Sequence, residues 1–373
     1  MSTPITDLLA HQLAAGHAPG ALAHVERAGQ VLARHAAGAV QPDQARPMHE
    51  GVRFRIASLT KPMVSLAVLM LVDEGRLDLE APMAELLPAL RDMRLANGDR
   101  PVTAPTLRDL LRHTSGLAYP HEIGVAAVRQ AWADAGFVPA MSGLDSAGFL
   151  TRLAGLPLVA EPGTRFRYGY STDVLGCIVE ALDGCSLADA LHKRLFKPLG
   201  MDSTGFDLAP DEGPDLATAF AEDAAWQATI PAIGLAPAPG AARMHSGGGG
   251  LISTLDDTAA FARLLAQGGE LKGQRLLSAR LMAEFGRNQL PAGVDGPAGY
   301  TGPGFGFGLG LAVRHDWGPA AMPAGAGELC WSGISGTAMF VQPREQWFAL
   351  LFSANTASRM MTRLAFRRAA SQL

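Results

Sequence analysis

Phe54-Arg55-Ile56-Ala57-Ser58-Leu59-Thr60-Lys61-Pro62-Met63-Val64-Ser65-Leu66-Ala67-Val68-Leu69-Met70-Leu71-Val72 passes from an alternating segment into a strongly apolar one. Val52 to Ile56 alternates apolar and basic residues, which predicts a strand. From Ser58 the pattern predicts a helix to about Glu74, stopped by Gly75. Pro62 falls near the helix start, where its missing N–H costs little. Ser58 and Lys61 are three residues apart, so a helix puts them on one face. Serine is a poor nucleophile at its own pKa and needs an adjacent base. A lysine amine serves as that base when burial favours its neutral form. The plainer reading is an N-cap serine beside a solvated lysine, and the pair alone does not decide between them.

The rest of the chain frames this pair. Its 373 residues predict two domains, or one large one with insertions. Apolar residues are 48% and charged residues 18%, enough for a sizeable core and too apolar for wholesale disorder. Gly 43 and Pro 25 exceed the usual combined ~12% and predict many turns. The net charge is −4 without a basic run, so neither nucleic acid nor a membrane surface is an expected partner. Only four of the 31 basic residues are Lys: Lys61, Lys193, Lys197 and Lys272. Cys177, Cys185 and Cys330 form no C-x-x-C pair and fit a reducing compartment. The N-terminal stretch reads as an amphipathic helix over Thr6 to Ala15, not a signal peptide. The expected location is the cytoplasm.

Working outward, Ala21 to Ala36 predicts a hairpin turning at Ala28-Gly29-Gln30. Helical patterns recur at Leu107–Arg112, Ala147–Ala154, Asp173–Leu182, Leu187–Leu195, Leu255–Ala266 and Ser278–Phe285. Strands are expected at Gly308–Arg314, Thr337–Val341 and Trp347–Ser353, then a helix over Ala357–Ala369. This order implies an α/β domain built from residues 1–78 and 300–373, with a mainly helical domain, 79–299, inserted. A cleft between them is the expected site. The segments 119–141 and 207–244 are expected to shape it.

Two further motifs stand out. Phe166-Arg167-Tyr168-Gly169-Tyr170-Ser171 holds two of the four tyrosines, on a loop before a helix. A loop tyrosine can carry a proton, though packing between helices is the commoner use. Trp331-Ser332-Gly333-Ile334-Ser335-Gly336-Thr337 precedes an apolar strand, and its small residues let a backbone approach a ligand closely.

In this order and spacing, these motifs resemble the serine β-lactamase/penicillin-binding-protein superfamily, to which Ser-x-x-Lys belongs. The likeness extends through Leu107-Arg108-Asp109-Leu110-Leu111-Arg112-His113-Thr114-Ser115-Gly116-Leu117, Pro198-Leu199-Gly200-Met201 and Ser246-Gly247-Gly248-Gly249-Gly250-Leu251, so it covers most of the chain. It is closest to the class C β-lactamase-like branch and, within it, the family VIII carboxylesterases. The resemblance implies an antiparallel sheet flanked by N- and C-terminal helices plus the helical insert. It implies Ser58 as nucleophile, and Lys61 and Tyr168 as the groups that share its proton, with the resting base left open between them. Backbone N–H groups of Ser58 and Ile334 would form the oxyanion hole. Trp331, Ser332, Gly333 and Tyr170 would meet the substrate. No metal or organic cofactor is implied.

The departures select the branch. Class C β-lactamases carry Tyr-x-Asn, where this chain has Tyr168-Gly169-Tyr170, and Lys-Thr-Gly, where it has Trp331-Ser332-Gly333. An indole replaces the cation that would hold a β-lactam carboxylate. The expected activity is therefore a serine carboxylesterase acting on short-chain neutral esters, as a monomer or small homo-oligomer. The alternatives are a β-lactamase or D-amino-acid peptidase, an acyltransferase to a non-water acceptor, and a catalytically silent scaffold. Gly-x-Ser-x-Gly is absent, which disfavours an α/β-hydrolase. The ten histidines lack His-Glu-x-x-His, which disfavours a catalytic zinc site. His113 reads as structural, and Asp256 and Asp257 as capping residues with Ser253 or Thr254.

If Lys61 must lose its proton to work, Lys61→Arg should be nearly as damaging as Lys61→Ala, because a guanidinium keeps its charge. Ester hydrolysis rates of the two variants check this. An arginine variant with most of the activity would reduce Lys61 to an electrostatic element.

Overall fold

The computed structural model describes residues 3–42, 46–137, 143–208, 213–231, 233–235 and 244–373. Helix α1 (Pro4–Ala14) opens the chain with Thr3 as N-cap, accepting from Thr6 N. Strands β1 (Gly20–Arg27) and β2 (Gln30–Gly38) form the expected hairpin. Its loop, Ala28-Gly29, has φ of 49° and 81°, the mirror-image turn that suits strand twist. Helix α2 (Thr60–Asp73) carries Lys61 in its first turn and ends before Gly75, at φ 71°. Helices α3 (Ser171–Asp183) and α4 (Leu255–Ala266) follow. Thr254 caps α4, accepting from Asp257 N.

The last third of the chain returns to the sheet with β3 (Phe305–Phe307), β4 (Ala312–Arg314), β5 (Leu329–Ser332), β6 (Ala338–Gln342) and β7 (Trp347–Ser353). Helix α5 (Arg359–Ala370) closes it. The seven strands lie in the order β2-β1-β7-β6-β5-β4-β3, and each neighbouring pair is antiparallel. The two chain ends therefore meet in the middle of one sheet, where β1 pairs with β7 from Ala21↔Ser353 to Arg27↔Trp347. Helices α1 and α5 pack together against β1 and β7, while α4 lies on β1, β6 and β7. Every residue of β7 is buried, as a strand covered on both faces must be. This is the α/β architecture the resemblance implies. Within 79–299, α4 belongs to the layer on the sheet.

The local differences from expectation have tertiary causes. Val52–Ile56 contributes only the pair Phe54–Arg55, matched to Ser253 and Ile252. The remaining backbone groups go elsewhere: Arg53 pairs with the 215–217 segment, and Ile56 N donates to Leu251 O. Gly308–Arg314 is a hairpin end rather than one strand, with Gly310 at φ 116° between β3 and β4. Strand β5 was not expected. Its four residues, Leu-Cys-Trp-Ser, carry no alternation. The helix at Leu187–Leu191 widens into a turn of π geometry over His192–Phe196.

One buried ion pair ties α5 to the residue just before β5. Arg367 donates to Glu328 through Nε at 3.0 Å and Nη2 at 2.5 Å, and both residues are buried. Burial pushes the Glu328 carboxyl up and the Arg367 charge opposes it. Breaking such a pair strands a buried cation and costs about 3–5 kcal/mol. Glu328→Gln should lower the urea midpoint accordingly without changing the m-value. A loss below about 1 kcal/mol, the scale of an exposed pair, would contradict this role.

Candidate active site

The sequence bends sharply just before α2. Ala57 has φ 46°, a conformation that costs a residue with a Cβ roughly 1–3 kcal/mol. It opens a single 3₁₀ turn, Ala57–Leu59, with Ser58 at its centre. The turn is held from three sides. Ile56 N donates to Leu251 O at 3.0 Å, Thr337 Oγ1 donates to Ile56 O at 3.1 Å, and Leu251 N donates to Thr60 Oγ1 at 3.1 Å. Ser58 is left half-buried with its side chain toward Lys61.

Lys61 is fully buried. A buried ammonium must have its N–H groups satisfied. Nζ donates to Gly248 O at 2.7 Å, to Tyr119 OH at 3.0 Å and to Ser58 Oγ at 3.5 Å. It also lies 4.5 Å from the Tyr168 ring centre. The helix spacing read from the sequence thus brings Ser58 and Lys61 together. The two partners that complete the lysine's surroundings come from distant loops.

The Gly248 carbonyl is aimed by Asp173 at the start of α3. Asp173 Oδ1 accepts from Gly248 N at 3.0 Å and from Ser246 Oγ at 2.6 Å. Burial pushes the Asp173 carboxyl up, while the Lys61 charge and the Ser246 hydroxyl oppose this. The approach is so close that a Cβ on Gly248 would lie 2.5 Å from Asp173 Oδ2. The glycine run at 246–250 is therefore the wall behind the lysine.

Tyr119 and Tyr168 stand side by side because their backbones touch. Tyr119 N donates to Tyr168 O at 2.9 Å. A Cβ on Gly169 would fall 2.4 Å from Ala118 Cα, so only glycine fits between the two tyrosines' loops. The rings meet edge to face at 5.3 Å. Burial pushes the Tyr119 phenol well above its ordinary range, so it is a neutral hydroxyl. Tyr168 OH accepts from Trp331 Nε1 at 3.2 Å. His113, at φ 58°, packs 4.9 Å from the Tyr168 ring, fully buried. Burial, and then the Lys61 charge, hold it well below the usual histidine range, which suits a packed neutral ring.

Tyr170 does not join the group. Its hydroxyl donates to Phe137 O at 3.1 Å, and its ring is buried against Trp132, Phe137 and Tyr119. Tyr170, expected to meet substrate, here packs against Tyr119 from behind. Trp331 is buried too, and its N–H is committed to Tyr168. Tyr119 itself went unread as a site residue, because it lies in a loop without a motif and matters only through its distance to Lys61. Parts of the two segments expected to shape the cleft, 138–141, 209–212, 232 and 236–243, lie outside the described residues.

The turn after β5 faces Ser58. A Cβ on Gly333 would lie 2.4 Å from Ile56 O, so the Trp-Ser-Gly glycine is what lets β5 abut the serine turn. Gly333 N donates to Thr337 O at 2.9 Å, and Gly336 N donates to Gly333 O at 3.1 Å. Neither the Ser58 nor the Ile334 N–H pairs with a backbone carbonyl among the described residues. Beside Ser332 opens a cavity of about 160 Å³, lined mostly by apolar side chains including Tyr300, Met322, Trp331 and Leu364, with Arg363 as its charged member.

Comparison with known proteins gives the family and the fold. The beta-lactamase family model matches residues 5–373. Esterase EstB of Burkholderia gladioli is 36% identical over 370 residues, covering 91% of this chain and 86% of that protein. The solved structure of EstCE1, a hydrolase with promiscuous acyltransferase activity, superposes with a TM-score of 0.85 at 28% identity, covering 98% of this chain and 97% of that one. Unliganded simvastatin synthase (LovD) from Aspergillus terreus shares the fold, with a TM-score of 0.80 at 20% identity over 100% of this chain and 99% of its own. With a family model that matches residues 5–373 and a relative 36% identical over 91% of its length, the chain belongs to the beta-lactamase family.

Proposed function

We propose that this protein is a serine carboxylesterase that hydrolyses short-chain neutral esters through an acyl-Ser58 intermediate. The carrying observation is Lys61, fully buried, with Nζ 3.5 Å from Ser58 Oγ. Lys61 and Tyr168 share the work of removing the hydroxyl proton as Ser58 Oγ attacks the ester carbonyl. The carbonyl oxygen becomes an oxyanion between the N–H groups of Ser58 and Ile334, donors often worth about 3–4 kcal/mol each. The proton passes to the leaving alcohol through Tyr168, whose oxygen is already engaged by Trp331 and whose own proton is free to move. Tyr119 positions the amine. Water then repeats the attack and releases the acid. Likeness to EstB supports the esterase reading. Transfer to an alcohol instead of water uses the same intermediate, and the likeness to EstCE1 favours it as a side activity.

The preference for neutral substrates follows from where the donors point. The N–H groups of Lys61 are directed at Ser58, Tyr119 and Gly248, and the Trp331 N–H at Tyr168. A substrate carboxylate beside Trp331 would meet an aromatic face, and the cation in that cavity's wall, Arg363, gives its Nη2 N–H to the Gly333 carbonyl. The cavity beside Ser332 has room for a short acyl or alkyl chain. The cleft is read as lying between a part formed by residues 1–78 and 300–373 and a part within 79–299, and the free cysteines support a cytoplasmic setting.

Two measurements test this. A carboxylate that loses one charge-assisted hydrogen bond forfeits about 1.5–3 kcal/mol, roughly 10–150-fold. kcat/KM for p-nitrophenyl butyrate should exceed that for a chromogenic cephalosporin by at least this factor, and a preference for the cephalosporin would overturn the assignment. Tyr119→Phe removes one donor–acceptor pair of the same kind. It should lower kcat by roughly 10–150-fold with KM little changed. Unaltered kcat would remove Tyr119 from the mechanism.

A further inference from the structure

Arg363, on the inner face of α5, is buried to 7% exposure, and among the described residues no carboxylate pairs with it. The contrast is one helical turn away. Arg367, at i+4, has a buried bidentate partner in Glu328. Arg363 instead donates through Nη2 to the carbonyl of Gly333, and through Nη1 to Met360 Sδ at 3.5 Å, while its Nε has no partner among the described residues. A buried cation without a counter-charge is costly, and the fold carries it at one carbonyl. Burial, and then the neighbouring Arg359, pull its pKa down to about 9, so it is still a cation at neutral pH.

That carbonyl is not an arbitrary acceptor. The C=O of Gly333 and the N–H of Ile334 are the two ends of one planar peptide unit and point in opposite directions. A cation bonded to the oxygen fixes the plane of the unit and draws charge from its N–H end. The N–H is then a better donor, as in any polarised hydrogen-bond chain. The same oxygen accepts from Gly336 N at 3.1 Å, which closes the turn. Gly333 is pressed against Ile56 O on its other side.

We infer that Arg363 is a positioning residue of the reaction: it holds and polarises the Gly333–Ile334 peptide so that the Ile334 N–H is aimed at the developing oxyanion. This rests on the esterase reading above, in which Ile334 supplies one of the two oxyanion donors. The positive charge acts on the oxyanion through the peptide bond.

The test compares wild type, Arg363→Lys and Arg363→Met, with folding checked by urea midpoint. Each is acylated at Ser58 with a slowly deacylating p-nitrophenyl ester whose carbonyl is isotope-labelled. The infrared stretch of that carbonyl reports how strongly the oxyanion donors polarise it. In wild type the band should lie below that of the unfolded acyl-enzyme. In Arg363→Met it should move up toward the unfolded value, and kcat for p-nitrophenyl butyrate should fall roughly 10–100-fold, less than the ~10²–10³ of losing a donor outright. KM should change little. Arg363→Lys, which keeps the charge with a shorter reach, should fall between the two, and it carries the test alone if Arg363→Met does not fold. A folded variant with wild-type band and kcat overturns the inference. A folded variant that loses activity while its band stays at the wild-type position also overturns it, since the role is then purely structural. If wild type gives no acyl band, or Ser58→Ala gives the same one, the esterase reading fails instead.

Discussion

The rest of the site depends on one constraint: an ammonium group buried at the start of a helix. Lys61 is fully buried, and each hydrogen bond it makes recruits a different part of the chain. Gly248 must present a carbonyl, so Asp173 and Ser246 fix that peptide from behind. Tyr119 must present an oxygen, so its loop is bonded to the backbone of Tyr168 and backed by Tyr170. Ser58 takes the remaining direction. A lone buried lysine would cost several kcal/mol, and these contacts are what make it tolerable.

Close backbone approach is the second theme. Gly169, Gly248 and Gly333 each sit where a Cβ would come within 2.4–2.5 Å of another atom. They bring the tyrosine loop, the wall behind Lys61 and the turn after β5 to the serine. Substituting any of them would separate elements that must stay within hydrogen-bond reach. The strained Ala57 belongs to the same arrangement, since the turn it opens is held by bonds from the 251 backbone and from Thr337. On the far side, α5 contributes two buried arginines, one paired with Glu328 and one resting on the Gly333 carbonyl.

Much of this was legible in the sequence, and the limits have physical causes. Ser58 and Lys61 could be paired because helix geometry makes i and i+3 neighbours. The hairpin at Ala28-Gly29 and the buried strand β7 also follow local rules. Tyr119, Asp173 and Arg363 could not be placed, because their partners lie 58, 75 and 30 residues away in sequence and only the fold brings them together. The surroundings of Tyr170 were hidden for the same reason. Two adjacent loop tyrosines look alike in sequence, but one hydroxyl meets Trp331 and the other a backbone carbonyl. Strand β5 lacked a signal because it is short and shows no apolar–polar alternation, and Gly333 reveals its purpose only beside Ile56 O.

The central claim is that Ser58 is made nucleophilic by its buried lysine. The most direct measurement is intact-protein mass spectrometry after treatment with a serine-directed phosphonate ester, followed by peptide mapping. The account predicts a single adduct, on Ser58, formed far more slowly in Lys61→Ala. An adduct on another serine, or labelling of Ser58 at an unchanged rate without the lysine, would contradict it.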